Sequence, residues 1–132
     1  MTTFTLHLHS ARQSERIPGV ESFVGEDASG GFGLRARHER FMTVLVFGLA
    51  RYRCPNRPWQ YLALPGALVR FADNQLFIDT RRYLRDADYN RISLALTEQL
   101  LKEEEVLGGL KQNLRRLEEA MLKHLLDISR GR

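Results

Sequence analysis

The residues that could do chemistry in this chain come in small, incomplete groups. Gly31, Gly33 and Ala36 have the spacing of a dinucleotide-binding glycine fingerprint, which works where a strand leads through the glycines into a helix that receives a pyrophosphate. The run that follows, Leu34-Arg-Ala-Arg-His-Glu-Arg40, has no helical apolar stripe, and no acidic residue about twenty positions on is placed to hold a ribose. These glycines therefore read as a connection between strands. His7 and His9 lie two apart and share a strand face, but two imidazoles need a third ligand to hold a metal, and none is evident. They read as exposed residues opposite an apolar face. His38 stands among Arg35, Arg37 and Arg40, surroundings that suit an acidic contact surface. His124 falls on an apolar helical stripe, as a packed or capping residue.

The single cysteine, Cys54, has no partner for an intrachain disulfide and reads as a loop thiol beside Pro55. No serine or cysteine sits in a nucleophile elbow, and no carboxylate pair has a context for acid/base work. Glu103-Glu-Glu105 reads as a solvated helix face with Lys102 and Lys111 nearby. The chain is thus expected to be no enzyme and to hold no metal or cofactor. Its net charge of +4 suggests acidic partners without naming their class. One alternative is a nucleic-acid-binding module that oligomerises through a helical arm. In it Arg35 to Arg40, Arg81-Arg82 and Arg115-Arg116 grip phosphates while Tyr52, Trp59 and Tyr61 stack bases. The competing reading, that these aromatics are core and the arginines surface, is preferred.

The elements that must position these residues follow from pattern. At 132 residues, 43% apolar and 27% charged, the chain fits one folded domain with an appendage. Its apolar runs fall short of a bilayer span, and its start lacks a signal sequence, so a cytoplasmic location is expected. Phe4 to Leu8 alternates as a half-buried strand. Further strands are expected at Val20 to Val24, Phe32 to Arg35, Phe41 to Leu45, Leu49 to Arg53, Trp59 to Leu64, Ala67 to Phe71 and Gln75 to Asp79. Pro18-Gly19, the Gly25 to Gly31 loop, Pro65-Gly66 and Asp73-Asn74 fall between them. Many short, evenly spaced strands mean a sandwich or barrel.

After Arg85 no proline occurs, and Leu, Glu, Lys, Arg and Gln take over, which sets a domain boundary between residues 1–85 and 86–132. Asp86 or Asp88 can cap the helix start. Leu96, Leu100, Leu107, Leu110, Leu114, Leu117, Met121 and Ile128 then follow three- and four-residue steps, a coiled-coil seam. Gly108-Gly109 marks a weak point and hinge, since each glycine costs about 1 kcal/mol relative to alanine. The unbroken heptad phase permits a hairpin of two helices or one long helix, with two helices, 88–107 and 110–129, slightly favoured.

Read together, residues Phe4 to Arg85 resemble the epsilon subunit of F-type ATP synthases. The features that carry the resemblance come in order: Phe4-Thr-Leu-His-Leu8, Val20-Glu-Ser-Phe-Val24, Asp27-Ala-Ser-Gly-Gly-Phe-Gly-Leu34, His38, Phe41-Met-Thr-Val-Leu45, Gly48-Leu-Ala-Arg-Tyr52, Tyr61-Leu-Ala-Leu-Pro-Gly-Ala-Leu-Val69 and Asp73-Asn-Gln-Leu-Phe-Ile-Asp-Thr80. The resemblance implies a flattened antiparallel β-sandwich followed by a C-terminal helical hairpin or extended helix. It also implies a noncatalytic rotor subunit of the central stalk, peripheral on the cytoplasmic face of the membrane, bound to the gamma subunit and the c-ring. Ala28, Ser29, Gly30, Gly31, Phe32 and His38 are its implied c-ring contacts, and the arm is implied to inhibit ATP hydrolysis and to reach the alpha and beta subunits. Some relatives bind ATP through an aspartate and an arginine three apart. Asp88 and Arg91 have that spacing, but Ala87 and Ile92 do not match the flanks, so nucleotide binding is not expected. Gly31 and Ala36-Arg37 stand where the family commonly has glutamate and proline-glycine. With the arginine-rich sandwich, these departures suggest an alternate, sodium-translocating form of the synthase.

Overall fold

The computed structural model of the chain describes residues 3–131, and for Leu110, Lys111, Asn113, Leu114 and 127–131 it describes the backbone alone. Two compact units divide it, Met1–Leu100 and Leu101–Arg132. The first is built from ten strands: β1 (Phe4–His9), β2 (Ser14–Val20), β3 (Ser22–Asp27), β4 (Gly30–Arg35), β5 (Phe41–Leu45), β6 (Gly48–Arg53), β7 (Gln60–Leu64), β8 (Ala67–Ala72), β9 (Gln75–Asp79) and β10 (Leu84–Asp86). Their ladder runs β10-β7-β6-β3-β5-β8-β9-β1-β2, with β4 paired to β3. The link between β3 and β5 is a single residue pair, Asp27 with Leu45. There the ladder folds over into two layers, β4-β3-β6-β7-β10 and β5-β8-β9-β1-β2.

Alternation explains why the layers close on each other. Leu6, Leu8, Val69, Phe71, Leu76 and Ile78 of one layer and Phe23, Leu34, Tyr52, Leu62 and Leu64 of the other join one buried core. Fully burying each large apolar side chain contributes about 1.5–3 kcal/mol, which fixes the register because a one-residue slip would expose the whole set. One open side is closed by polar residues. Tyr83 donates its hydroxyl to Glu15 at 2.5 Å, and Arg85 reaches Glu15 at 2.9 Å and the Tyr52 hydroxyl at 3.2 Å.

The layout departs from the sequence expectation in three places. The sandwich is not wholly antiparallel: β1 pairs with β9 in parallel, from Thr5–Gln75 to His9–Asp79. No hairpin joins these two strands, so nothing forces them to run in opposite directions. Pro18-Gly19 lies inside β2 rather than in a turn. As an edge strand β2 tolerates a proline, and Gly19, at φ +70°, makes a bulge where the register slips between Phe4–Val20 and Leu6–Ile17. The expected Gly25 to Gly31 loop is a tight hairpin with only Ala28 and Ser29 at its turn, and β10 is a strand that composition did not signal.

Past β10, Asp88 caps α1 (Tyr89–Ala95) by accepting the Arg91 backbone N–H at 3.1 Å. A π-helical segment (Leu96–Leu101) and then α2 (Lys102–Gly131) follow. The chain changes from strand to helix where the boundary at Arg85 was expected, yet the compact unit continues to Leu100. The reason is packing: Ile92 and Leu100 are buried with Ala63, and Leu96, Leu49, Tyr61 and Leu84 pack around them on the outer face of β6, β7 and β10. The preference for two helices over 88–107 and 110–129 is corrected, since α2 runs unbroken through Gly108 and Gly109. Neither glycine takes the left-handed conformation that ends helices, and the strong helix formers around them hold the α geometry. The departure from that geometry falls instead at the π-helical segment, whose bonds span five residues rather than four. No helix among the described residues is long and apolar enough to cross a membrane.

Candidate docking surfaces

The β3–β4 hairpin tip is held by Asp27. Its carboxylate accepts the Ser29 hydroxyl at 2.5 Å and backbone N–H at 2.9 Å, and the Thr43 hydroxyl of β5 at 2.7 Å. These bonds, the Ser29 hydroxyl foremost, hold the Asp27 carboxyl below the usual carboxylate range because they favour its charged form. The hairpin carrying Ala28, Ser29, Gly30, Gly31 and Phe32 is therefore tied to both layers at their junction.

His38 does not sit at that tip. It follows the opposite end of β4, its backbone N–H bonded to the Arg35 carbonyl at 3.2 Å. The six residues expected to make one contact thus belong to two ends of a strand, joined through aromatic rings. Phe32 packs against Phe41 at 5.1 Å, and His38 meets the edges of Phe41 at 5.7 Å and Phe71 at 5.9 Å. The nearby loop is fixed by Asn74. It accepts the Arg37 N–H at 2.8 Å, with Arg37 in the left-handed region, and donates to the Thr3 carbonyl at 2.9 Å.

The outer face of β5 and β8 carries an uncovered apolar surface, where Met42 is 64% and Val44 62% exposed beside the exposed Leu68. Register sets two rows across five strands: Met42, Arg70, Phe77, His7, Arg16, and Val44, Leu68, Asp79, His9, Ser14. In the first row Arg70 lies 4.2 Å over the Phe77 ring, and His7 stacks on its neighbour Phe77 at 4.6 Å. Sequence reasoning passed over this face. The signal was present: Phe41 to Leu45 is apolar at outward as well as inward positions, as expected of a strand buried on both sides.

Other expected groups resolve locally. His7 lies 2.9 Å from the Gln75 side-chain oxygen and His9 2.9 Å from the Ser14 hydroxyl, so the pair does not converge on a shared ligand. Among the described residues no three potential ligands group for a metal. Gly31 and Gly33 of the glycine fingerprint lie in β4 and Ala36 just past it, and the next element is the strand β5 rather than a helix. The three aromatics proposed as a stacking platform do not form one free face. Tyr52 is core, Tyr61 packs against Tyr89, and Trp59 lies over Arg51 and Arg53. Of the nucleotide pair, Asp88 is the helix cap, and Arg91 is engaged by both carboxylate oxygens of Asp86, one bond at 2.8 Å. That pairing, with the Asp88 N–H, lowers the Asp86 carboxyl to about 2.

In the arm, Leu100 is an anchor of the sandwich unit rather than a free seam residue. Leu107 is half-buried, while Leu117 and Met121 are exposed, as are Leu122, Leu125 and Leu126. The side chains of Leu110 and Leu114 lie outside the described residues.

Residues 3–86 match the sequence model of the ATP synthase delta/epsilon chain, beta-sandwich domain. The chain is 35% identical over 82 residues to a protein of Cereibacter sphaeroides named ATP synthase epsilon chain 2, covering 61% of this chain and 56% of that one. It is 36% identical over 81 residues to the ATP synthase epsilon chain of Anaeromyxobacter sp. strain Fw109-5, covering 60% and 61%. The matched segment therefore spans less than two thirds of each relative's length. Among solved structures, a chain of the Euglena gracilis mitochondrial ATP synthase is similar in fold (TM-score 0.59, 19% identity, covering 73% of this chain and 62% of that one). So is one from the central stalk and c-ring structure of the Tetrahymena thermophila mitochondrial ATP synthase (TM-score 0.53, 15% identity, covering 61% and 64%).

Proposed function

The chain belongs to the ATP synthase delta/epsilon-chain family, and from this premise we propose that it is a noncatalytic rotor subunit coupling the gamma subunit to the c-ring of a rotary ATP synthase. The observation that carries the reading is the family match across residues 3–86, the whole sandwich from β1 to β10. It acts as a rigid adaptor: torque passes through a closed β core, and the only requirements are two firmly held docking surfaces. The Ala28 to Phe32 hairpin, stiffened by Asp27, supports a c-ring contact. The open apolar face of Met42, Val44 and Leu68, close in sequence to His38, supports a gamma-subunit contact, because a solvent-facing sheet surface of this kind marks a protein interface. The location that follows is peripheral, on the cytoplasmic face of the membrane.

The arm, with its exposed leucines, supports a regulatory role, in which it reaches the alpha and beta subunits and inhibits ATP hydrolysis, with Gly108 and Gly109 as its hinge. The decisive experiment is a pull-down with the gamma subunit of the same organism. The parent chain is expected to co-purify with gamma. Val44→Glu, at an exposed position with no core contact, is expected to lose that association while its melting temperature stays unchanged. No gamma association by the parent chain would refute the reading.

A further inference from the structure

The outer face of the opposite layer carries a second surface, formed by β4, β3 and β6. Register places Arg35, Ser22 and Arg53 in one row and Gly33, Val24 and Arg51 in the next, all on the side away from the core. Adjacent strands lie about 4.8 Å apart, so Arg35 and Arg53 stand roughly 10 Å apart across a small serine. Arg53 pairs with Glu21 at 3.5 Å and, with Arg51, lies under the Trp59 ring. Glu26 stands further along the same face, beside Gly31. Among the described residues neither Arg35 nor Arg51 has an ion pair, so an arginine free of carboxylate partners stands on each strand flanking β3, with Val24 and Gly33 in the row of Arg51.

Gly33 gives the second, independent observation. A Cβ built there would meet only the Phe23 carbonyl oxygen, at an ordinary 3.8 Å, and Gly33 is not among the residues of positive φ. The fold thus has room for a side chain, and a β-branched residue would favour the strand. A strand glycine that the fold itself does not require suits close approach by another backbone, and Gly31, two residues before it, has the same room. We propose that this sheet face is a docking surface for an extended acidic segment of a protein partner, whose carboxylates pair with Arg35 and Arg51 while its backbone crosses Gly33. Guanidinium groups match carboxylates in bidentate geometry. Nucleic acid fits less well, because its bases need a free aromatic platform, whereas Trp59 lies against Arg51 and Arg53, and Tyr61, opposite Arg51, packs on Tyr89.

The test is independent of the rotor reading. The full chain is titrated at low salt with a fluorescein-labelled oligoglutamate peptide and, separately, with oligo-dT of equal length. Oligoglutamate is expected to bind more tightly, and Arg35→Glu with Arg51→Glu to weaken it by about tenfold or more, two charge-assisted contacts being lost. Gly33→Val, with Gly33→Ala as the milder variant, is expected to weaken binding with no fall in melting temperature. Parent-like binding by the arginine or glycine variants, or tighter binding of oligo-dT, would overturn the proposal.

Discussion

Replacing Leu100 by alanine tests where the folded unit ends. Leu100 is fully buried in the small cluster of Ala63 and Ile92, beneath the partly buried Leu49, Leu84 and Leu96. Leucine-to-alanine changes in cores cost about 2–5 kcal/mol, the spread reflecting how far the site can collapse. Here several neighbours are themselves half-exposed and free to settle, which puts the expected loss at the lower end, about 2–3 kcal/mol. For a unit of this size each kcal/mol shifts the melting temperature by about 4–8 °C, so a fall of about 10–20 °C is expected. The adjacent Leu101 is 39% exposed and begins the second unit, so Leu101→Ala is expected to cost less than about 1 kcal/mol. The chain has a single tryptophan, Trp59, which lies in the sandwich, so its fluorescence during urea unfolding reads the first unit alone. If Leu100→Ala leaves that transition unmoved, α1 and the π-helical segment do not belong to the sandwich unit, and the boundary returns to Arg85.

Two further outcomes are expected. The Asp86 carboxyl is depressed to about 2 by Arg91, so its stabilising contribution is complete above the ordinary carboxylate value near 4 and is lost as pH falls toward 2. The difference in melting temperature between the parent and Asp86→Asn should accordingly stay constant from neutrality to about pH 5 and shrink between pH 4 and 2; a difference independent of pH would contradict the ion pair. Gly108→Ala with Gly109→Ala should stabilise α2 by about 1 kcal/mol per site, read as greater helicity by circular dichroism, and should change the inhibition of ATP hydrolysis in the assembled synthase; unaltered hydrolysis would argue against the hinge.

Local pattern made much of this protein legible. The period-two alternation of Phe4 to Leu8 and the bounds of Phe41–Leu45 and Gln75–Asp79 match strands in the structure, because a half-buried strand writes its burial directly into sequence. The change of composition after Arg85 lies beside the end of β10 at Asp86 and the start of α1 at Tyr89, although the compact unit runs on to Leu100. What sequence pattern could not decide was pairing between distant segments. The parallel β1–β9 pair depends on strands some seventy residues apart, and the short β10 is a strand only because β7 offers it an edge. The same holds for function. The types of Ala28 to Phe32, His38 and Met42 are plain in the sequence, and so are those of Arg35 and Arg51. That the first set spreads over two ends of β4 and an apolar sheet face, while the arginines stand on the two strands flanking β3, follows from cross-strand register. Register is set when both layers bury their inward residues in one core, a collective result that no segment encodes by itself.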